Sequence, residues 1–96
     1  LGDVYKRQLL NMQTKGYEDF IEIDGKLFFR QFAIKKNNED YLVYFYIVQE
    51  DKLDQAEDYE IEEFNQFNKI KPALDFIKTK GADLSKFSVF KGNKPI

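Results

Sequence analysis

Cysteine, histidine and tryptophan are all missing from these 96 residues. Without cysteine there is no disulfide, no thiolate nucleophile, no iron–sulfur cluster and no cysteine zinc site. Without histidine there is no imidazole triad, no imidazole metal ligand and no pH switch near neutrality. No run reaches the roughly 20 consecutive apolar residues of a membrane-spanning helix. Charge of one sign is also lacking, because 15 Lys+Arg stand against 17 Asp+Glu for a formal net of -2. What the chain has in quantity is aromatic bulk, with ten Phe and six Tyr. High aromatic content with low net charge argues against a disordered chain. The length suits one small domain, whose limited core depends on large rings.

The first eight residues read differently from the rest. Asp3–Gln8 spells Asp-Val-Tyr-Lys-Arg-Gln. One back-translation, GATGTGTATAAGAGACAG, resembles the transposon-end adapter of sequencing-library preparation. Residues 1–8 are therefore read as a non-native adapter-derived tail on a bacterial metagenomic gene fragment. Residues 9–96 are read as a single small α+β domain. Lys6 and Arg7 accordingly drop out as a nucleic-acid-binding arm. A cytoplasmic location is the expectation.

Along the chain, Leu9–Gly16 reads as the end of a helix, with Lys15 in its last turn and Gly16 as its cap. Tyr17–Asp24 then alternates, Tyr17, Ile21 and Ile23 against Glu18, Glu22 and Asp24, which predicts a half-buried strand. Asp19 and Phe20 break that alternation. Asp24-Gly25 is a hairpin signal, since a type I′ turn needs positive φ at both central positions. Lys26–Lys36 is the second strand, Asn37–Asp40 a polar turn, and Tyr41–Gln49 the third strand. Two hairpins in succession predict an antiparallel meander of three to four strands.

Strand alternation sorts the meander into two faces. In the second strand, Phe28, Arg30, Phe32 and Ile34 oppose Leu27, Phe29, Gln31 and Ala33. In the third, Tyr41, Val43, Phe45 and Ile47 point one way and Leu42, Tyr44, Tyr46 and Val48 the other. One face is expected to pack on a helix. The other, rich in Tyr and Phe, is either covered by a second element or is a contact surface.

Glu50–Glu63 holds eight acidic residues against Lys52 alone. Its first half reads as a loop or frayed helical turn, and Tyr59–Glu62 as a short fourth strand. Phe64, Phe67 and Ile70 recur at spacing three, which suits a helix beginning near Glu62. A helix starting at Pro72 is the cleaner reading, because proline is favoured in a first turn and breaks interiors. Ala73, Leu74, Phe76 and Ile77 supply its buried side, and Gly81 ends it. Asp83 is placed to cap a turn over Leu84–Lys86, and Phe87–Lys91 is a last strand with Phe87 and Val89 on one face.

Catalysis and metal binding are weakly supported. Carboxylates alone can run a hydrolase when an acid and a base stand roughly 5–10 Å apart, but no pair in the acidic block has a buried setting. Calcium loops need carboxylates at fixed spacing around a glycine, and Asp51–Glu63 contains none. No enzyme activity, cofactor or metal is expected.

A binding role has better support. Asp51, Asp54, Glu57, Asp58, Glu60, Glu62 and Glu63, with Tyr59 as an aromatic anchor, form a candidate partner-binding surface. Such a surface occupies a basic cleft on another protein, carboxylates taking the place of phosphates, as acidic inhibitors and immunity-type proteins do. The alternative is a small nucleic-acid-binding domain. It uses Lys69, Lys71, Lys78, Lys80, Lys86 and Lys91 on phosphates, with Phe87 and Phe90 stacking on bases. A fragment of a larger accessory protein is the third reading. No membrane partner is expected, and an exposed sheet face or edge gives a route to a homodimer.

Overall fold

The computed structural model describes residues 14–55, 60–90 and 95–96. Within them the architecture is mixed α+β, a five-stranded antiparallel sheet with one α-helix on one face. The strands are β1 (Lys15–Ile23), β2 (Lys26–Asn37), β3 (Asp40–Gln49), β4 (Ile61–Phe67) and β5 (Ser88–Val89). Their spatial order is β4-β3-β2-β1-β5. A 3-10 turn, Glu50–Gln55, leaves β3, and the helix α1 (Ile70–Thr79) follows β4.

The two hairpins form where the turn residues put them. Asp24 and Gly25 both take positive φ, 52° and 78°, so the tight turn matches the twist of the flanking strands. Ile23 then pairs with Lys26, and β1 and β2 stay in register back to Lys15 and Ile34. Asn38, at φ 58°, opens the second turn, and Asn37 faces Asp40.

Strand parity fixes what the helix covers. Phe32, Ile34, Tyr41, Val43 and Phe45 form one buried cluster with Ala73, Leu74 and Ile77 of α1 and with Phe87. Alternation had grouped Phe32 with Ile34, and Tyr41 with Val43 and Phe45, and the register of β2 with β3 puts those two sets on the same face. Asp19 and Phe20, which break the pattern, each have a reason. Asp19 lies opposite Arg30 on the helix side and receives both guanidinium bonds, at 2.9 and 2.7 Å. Phe20 lies opposite Phe29 on the other side, ring centroids 5.4 Å apart.

Four expectations are corrected. Lys15 and Gly16 begin β1 rather than close a helix: Gly16 pairs with both Ala33 and Ser88. Leu9–Gln13 of that expected helix lies outside the described residues. The fourth strand is Ile61–Phe67, not Tyr59–Glu62, and no helix begins near Glu62. The spacing of Phe64 and Phe67 had suggested a helix, but in a strand it puts them on opposite faces. Helix α1 starts two residues before Pro72, which sits in the first turn, where its missing N–H has no intrahelical acceptor to lose. The sheet has five strands, the fifth being only Ser88–Val89.

Backbone bonds close the end of α1, and the Thr79 hydroxyl adds a bond to the Phe76 carbonyl. Ala82 N–H donates to the Ile77 carbonyl at 3.3 Å and Gly81 N–H to that of Lys78 at 2.9 Å. This is the paired bonding of a Schellman end, and Ala82 packs on the core. Asp83 then caps the Leu84–Lys86 turn as expected, accepting from Ser85 N–H at 3.0 Å. Its carboxyl is held below the usual range by the Ser85 hydroxyl first and the Ser85 amide second.

Candidate functional site: an aromatic and acidic sheet face

The face of the sheet away from α1 carries a band of rings across four strands. Phe20 on β1 meets Phe29 on β2 at 5.4 Å, and Phe29 meets Tyr46 on β3 at 6.1 Å. Tyr46 stacks on Tyr44 at 6.5 Å with planes 4° apart, and Tyr44 meets Phe64 on β4 at 4.9 Å. The geometry follows from register. Phe20 pairs with Phe29, and Tyr44 with Phe64, so these two contacts join directly opposed side chains, which stabilise a sheet by about 0.2–1 kcal/mol apiece, whereas Phe29 meets Tyr46 on the diagonal and Tyr44 and Tyr46 are alternate residues of β3.

The two ends of the band are open, while Phe29 and Tyr46 between them are half-buried and Tyr44 is buried. Phe20 and Phe64 are 55% and 59% exposed, whereas Tyr44 is 5% exposed. Ala33 and Val48 on the same face are buried outside the helix-side cluster.

Carboxylates are fixed to this band. The Tyr44 hydroxyl donates to Glu62 Oε2 and the Tyr46 hydroxyl to Glu60 Oε2, both at 2.8 Å. Each hydroxyl thus orients one oxygen of an ionised group and leaves the rest of its acceptor capacity unused in that bond. Glu18 shares the face and accepts from Gln31 Nε2 at 3.3 Å, and Glu22 follows four residues further along β1.

Burial pushes the Tyr46 phenol up to about 12, with the Glu60 bond adding to it. Burial, and then the Glu62 bond, pushes Tyr44 up as well. The unfolded phenols ionise near pH 10, before the folded ones. Above that pH the unfolded chain therefore binds fewer protons than the folded one, and stability falls as pH rises from about 10 towards 12. We expect Tm to drop over that window in the wild-type protein. The drop should flatten in Tyr44→Phe and Tyr46→Phe, followed by circular dichroism alongside phenolate absorbance.

The acidic candidates divide between places. Glu60 and Glu62 belong to the aromatic face. Glu63, one position on, points to the helix side and forms an ion pair with Lys80 at 2.8 Å. Asp51 and Asp54 are exposed in the 3-10 turn. Glu57, Asp58 and Tyr59 lie outside the described residues. The block is thus not one continuous patch: strand parity separates Glu63 from Glu60 and Glu62.

The lysine candidates gather with α1 instead. Lys80 lies within 6 Å of the Phe45 and Phe76 rings, at 5.7 and 5.3 Å, and is held by Glu63. Lys71 pairs with Asp75 at 2.9 Å. Lys86 stands 5.9 Å from the Tyr17 ring, and Lys69 and Lys78 are exposed at the two ends of α1. Lys91 lies outside the described residues. Phe87, expected to stack on bases, is 8% exposed in the core. The Phe90 ring lies within 2.6 Å of where a Cβ on Gly16 would stand.

Sequence reading placed Tyr44 with Tyr46 on one side of the third strand and Phe29 on one side of the second, but joined them neither to each other nor to the carboxylates. The missing link was β4. Reading Ile61–Phe67 as a strand sets Glu62 and Phe64 beside Tyr46 and Tyr44. The alternation Glu62, Phe64, Gln66 was the available signal.

No cluster of three or more metal-ligating side chains assembles among the described residues. No described helix is long and apolar enough to cross a membrane. Comparison of the chain with protein-family models, curated proteins and solved structures finds no match.

Proposed function

We propose that this chain is a non-catalytic, cytoplasmic protein-binding module whose acidic, aromatic sheet face engages a basic surface on another protein. The observation that carries the reading is the fixing of Glu60 and Glu62 by Tyr46 and Tyr44 beside the exposed ring of Phe64. An arginine on the partner can lay its guanidinium on such a ring and bond a neighbouring carboxylate at once. The carboxylates are held in place before binding, so less side-chain entropy is lost on association. An inhibitor or immunity-type protein that fills a basic cleft is the concrete form of the proposal. Asp51 and Asp54 extend the negative charge beyond the band.

The nucleic-acid alternative draws on the lysines of α1. It is the weaker reading, because Lys80 and Lys71 are already paired and Phe87 is a core residue.

Partner capture separates the two. Glu60→Gln combined with Glu62→Gln is expected to weaken partner retention about tenfold, the loss of roughly 1.4 kcal/mol of charge complementarity. Lys71→Gln with Lys78→Gln should leave retention unchanged. Unaltered capture by the glutamine variant, or loss of salt-sensitive nucleic acid by the lysine variant, would overturn the proposal.

A further inference from the structure

Strand β4 lies at the margin of the sheet. β3 holds one of its edges, and no described residue pairs with the other. Outer strands usually carry a lysine, a proline or a bulge that stops another strand from joining. Ile61–Phe67 reads Ile-Glu-Glu-Phe-Asn-Gln-Phe and runs unbroken against β3. It has no lysine, proline or bulge, its charges are Glu62 and Glu63, of which Glu63 is neutralised by Lys80, and its Ile61 and Phe64 are 57% and 59% exposed.

We propose that β4 is a self-pairing edge, on which a second copy of this chain adds its own β4 in antiparallel register about a two-fold axis through Phe64. Its two charges explain the choice of occupant and of register. Both glutamates lie before Phe64, and both positions after it, Asn65 and Gln66, are neutral amides. Centring on Phe64 therefore sets Glu62 opposite Gln66 and Glu63 opposite Asn65 of the second copy, carboxylate facing amide. Phe64 meets its own counterpart, and Ile61 meets Phe67. No like charges are directly opposed.

The neighbouring registers are worse. Centring on Glu63 opposes Glu63 to itself, and like charges directly opposite are destabilising. Centring on Asn65 sets Phe64 against Gln66 and leaves Ile61 beyond the end of the strand. A two-fold axis normal to the sheet also keeps each face on its own side. The ring band of one copy then continues through Phe64 into that of the other, and the helices lie together on the opposite face of a ten-stranded sheet. Phe64 is shared between this edge and the surface proposed above for a basic partner, but the partner surface is tested at Glu60 and Glu62 and the edge by disulfide formation, so the two ideas fail separately.

The absence of cysteine makes the test clean, since any disulfide must involve the residue introduced. Directly opposed Cβ atoms stand about 4.5–5.5 Å apart, close to disulfide reach. Phe64→Cys should therefore form a covalent dimer on mild oxidation. A mixture of Glu63→Cys with Asn65→Cys should form the mixed dimer while keeping Phe64. Adjacent pairs alternate between hydrogen-bonded and closer non-hydrogen-bonded geometry, so one of the two tests samples the closer site. The mixed dimer should form at least about tenfold faster than the homodimer of either member, because only it brings the two sulfurs within bonding geometry.

Sedimentation of the cysteine-free protein should show a concentration-dependent dimer that Phe64→Lys abolishes. A monomer at every concentration would overturn the proposal. So would crosslinking of Phe64→Cys and of the Glu63→Cys with Asn65→Cys mixture at the rate of Ser85→Cys, on an exposed turn away from β4.

Discussion

Phe32→Ala is expected to remove about 3–5 kcal/mol of stability, the usual cost of emptying a buried aromatic site. Phe32 is completely buried on β2, the middle strand of five. Its ring meets Tyr17 at 5.1 Å and Phe45 at 5.4 Å, and the Arg30 guanidinium lies 5.0 Å from its centroid. Arg30 is itself fixed, by two bonds to Asp19 and a third, 3.4 Å, to the Gly81 carbonyl. The walls of the resulting void are thus held by a strand pair and by the end of α1, and cannot easily close around it. A domain of this size has roughly 5–14 kcal/mol in all, so a fall in Tm of at least about 12 °C should follow. Phe64→Ala, at the exposed end of the other face, should cost less than about 1 kcal/mol. Urea unfolding of both variants checks the contrast. Similar losses would mean that the two faces have been assigned the wrong way round.

The second large effect is at Gly16, where alanine should destabilise by about 3 kcal/mol, the upper end of the overpacking range. The usual expectation has the opposite sign, since glycine inside a strand is worse than alanine by about 0.5–1 kcal/mol. Here an added Cβ would stand 1.9 Å from the Phe32 carbonyl oxygen, 2.9 Å from Ala33 Cα and 2.6 Å from the Phe90 ring. The ring can swing aside. The other two atoms are backbone of the middle strand, so β1 would have to lift away at its first residues. That movement would break the pairing of Gly16 with Ser88 and strain the 3.2 Å bond from Phe90 N–H to the Thr14 carbonyl. Thermal unfolding of Gly16→Ala reads the sign directly. An unchanged or higher Tm would contradict this close approach.

Much of the sheet was legible because turn chemistry and alternation agreed. Asp24-Gly25 and Asn37–Asp40 delimit strands whose period-two pattern names the residues of each face, and the register between them then follows. The misreadings occurred where one short pattern fits two structures. Lys15-Gly16 suits a helix end by residue type, yet at Gly16 the backbone of β2 and the Phe90 ring leave no room for a Cβ. Phe64 and Phe67 suit one face of a helix, yet they are the two faces of a strand. That second error hid the candidate site, since placing Glu62 beside Tyr46 and Phe64 beside Tyr44 depends on β4. It also made the acidic block look like one surface, when parity sends Glu63 to Lys80 and Glu60 and Glu62 to the tyrosines.

Arginine is the side chain that suits this face on both counts, carboxylate and ring, which makes an arginine-rich peptide the natural probe. Its titration into the isotope-labelled protein, followed through backbone amide shifts, tests the central claim most directly. Perturbations are expected to cluster at Tyr44, Tyr46, Glu60, Glu62 and Phe64, to shrink with added salt and to vanish in Glu60→Gln with Glu62→Gln. Perturbations confined to the lysines of α1, or none at this face, would contradict it.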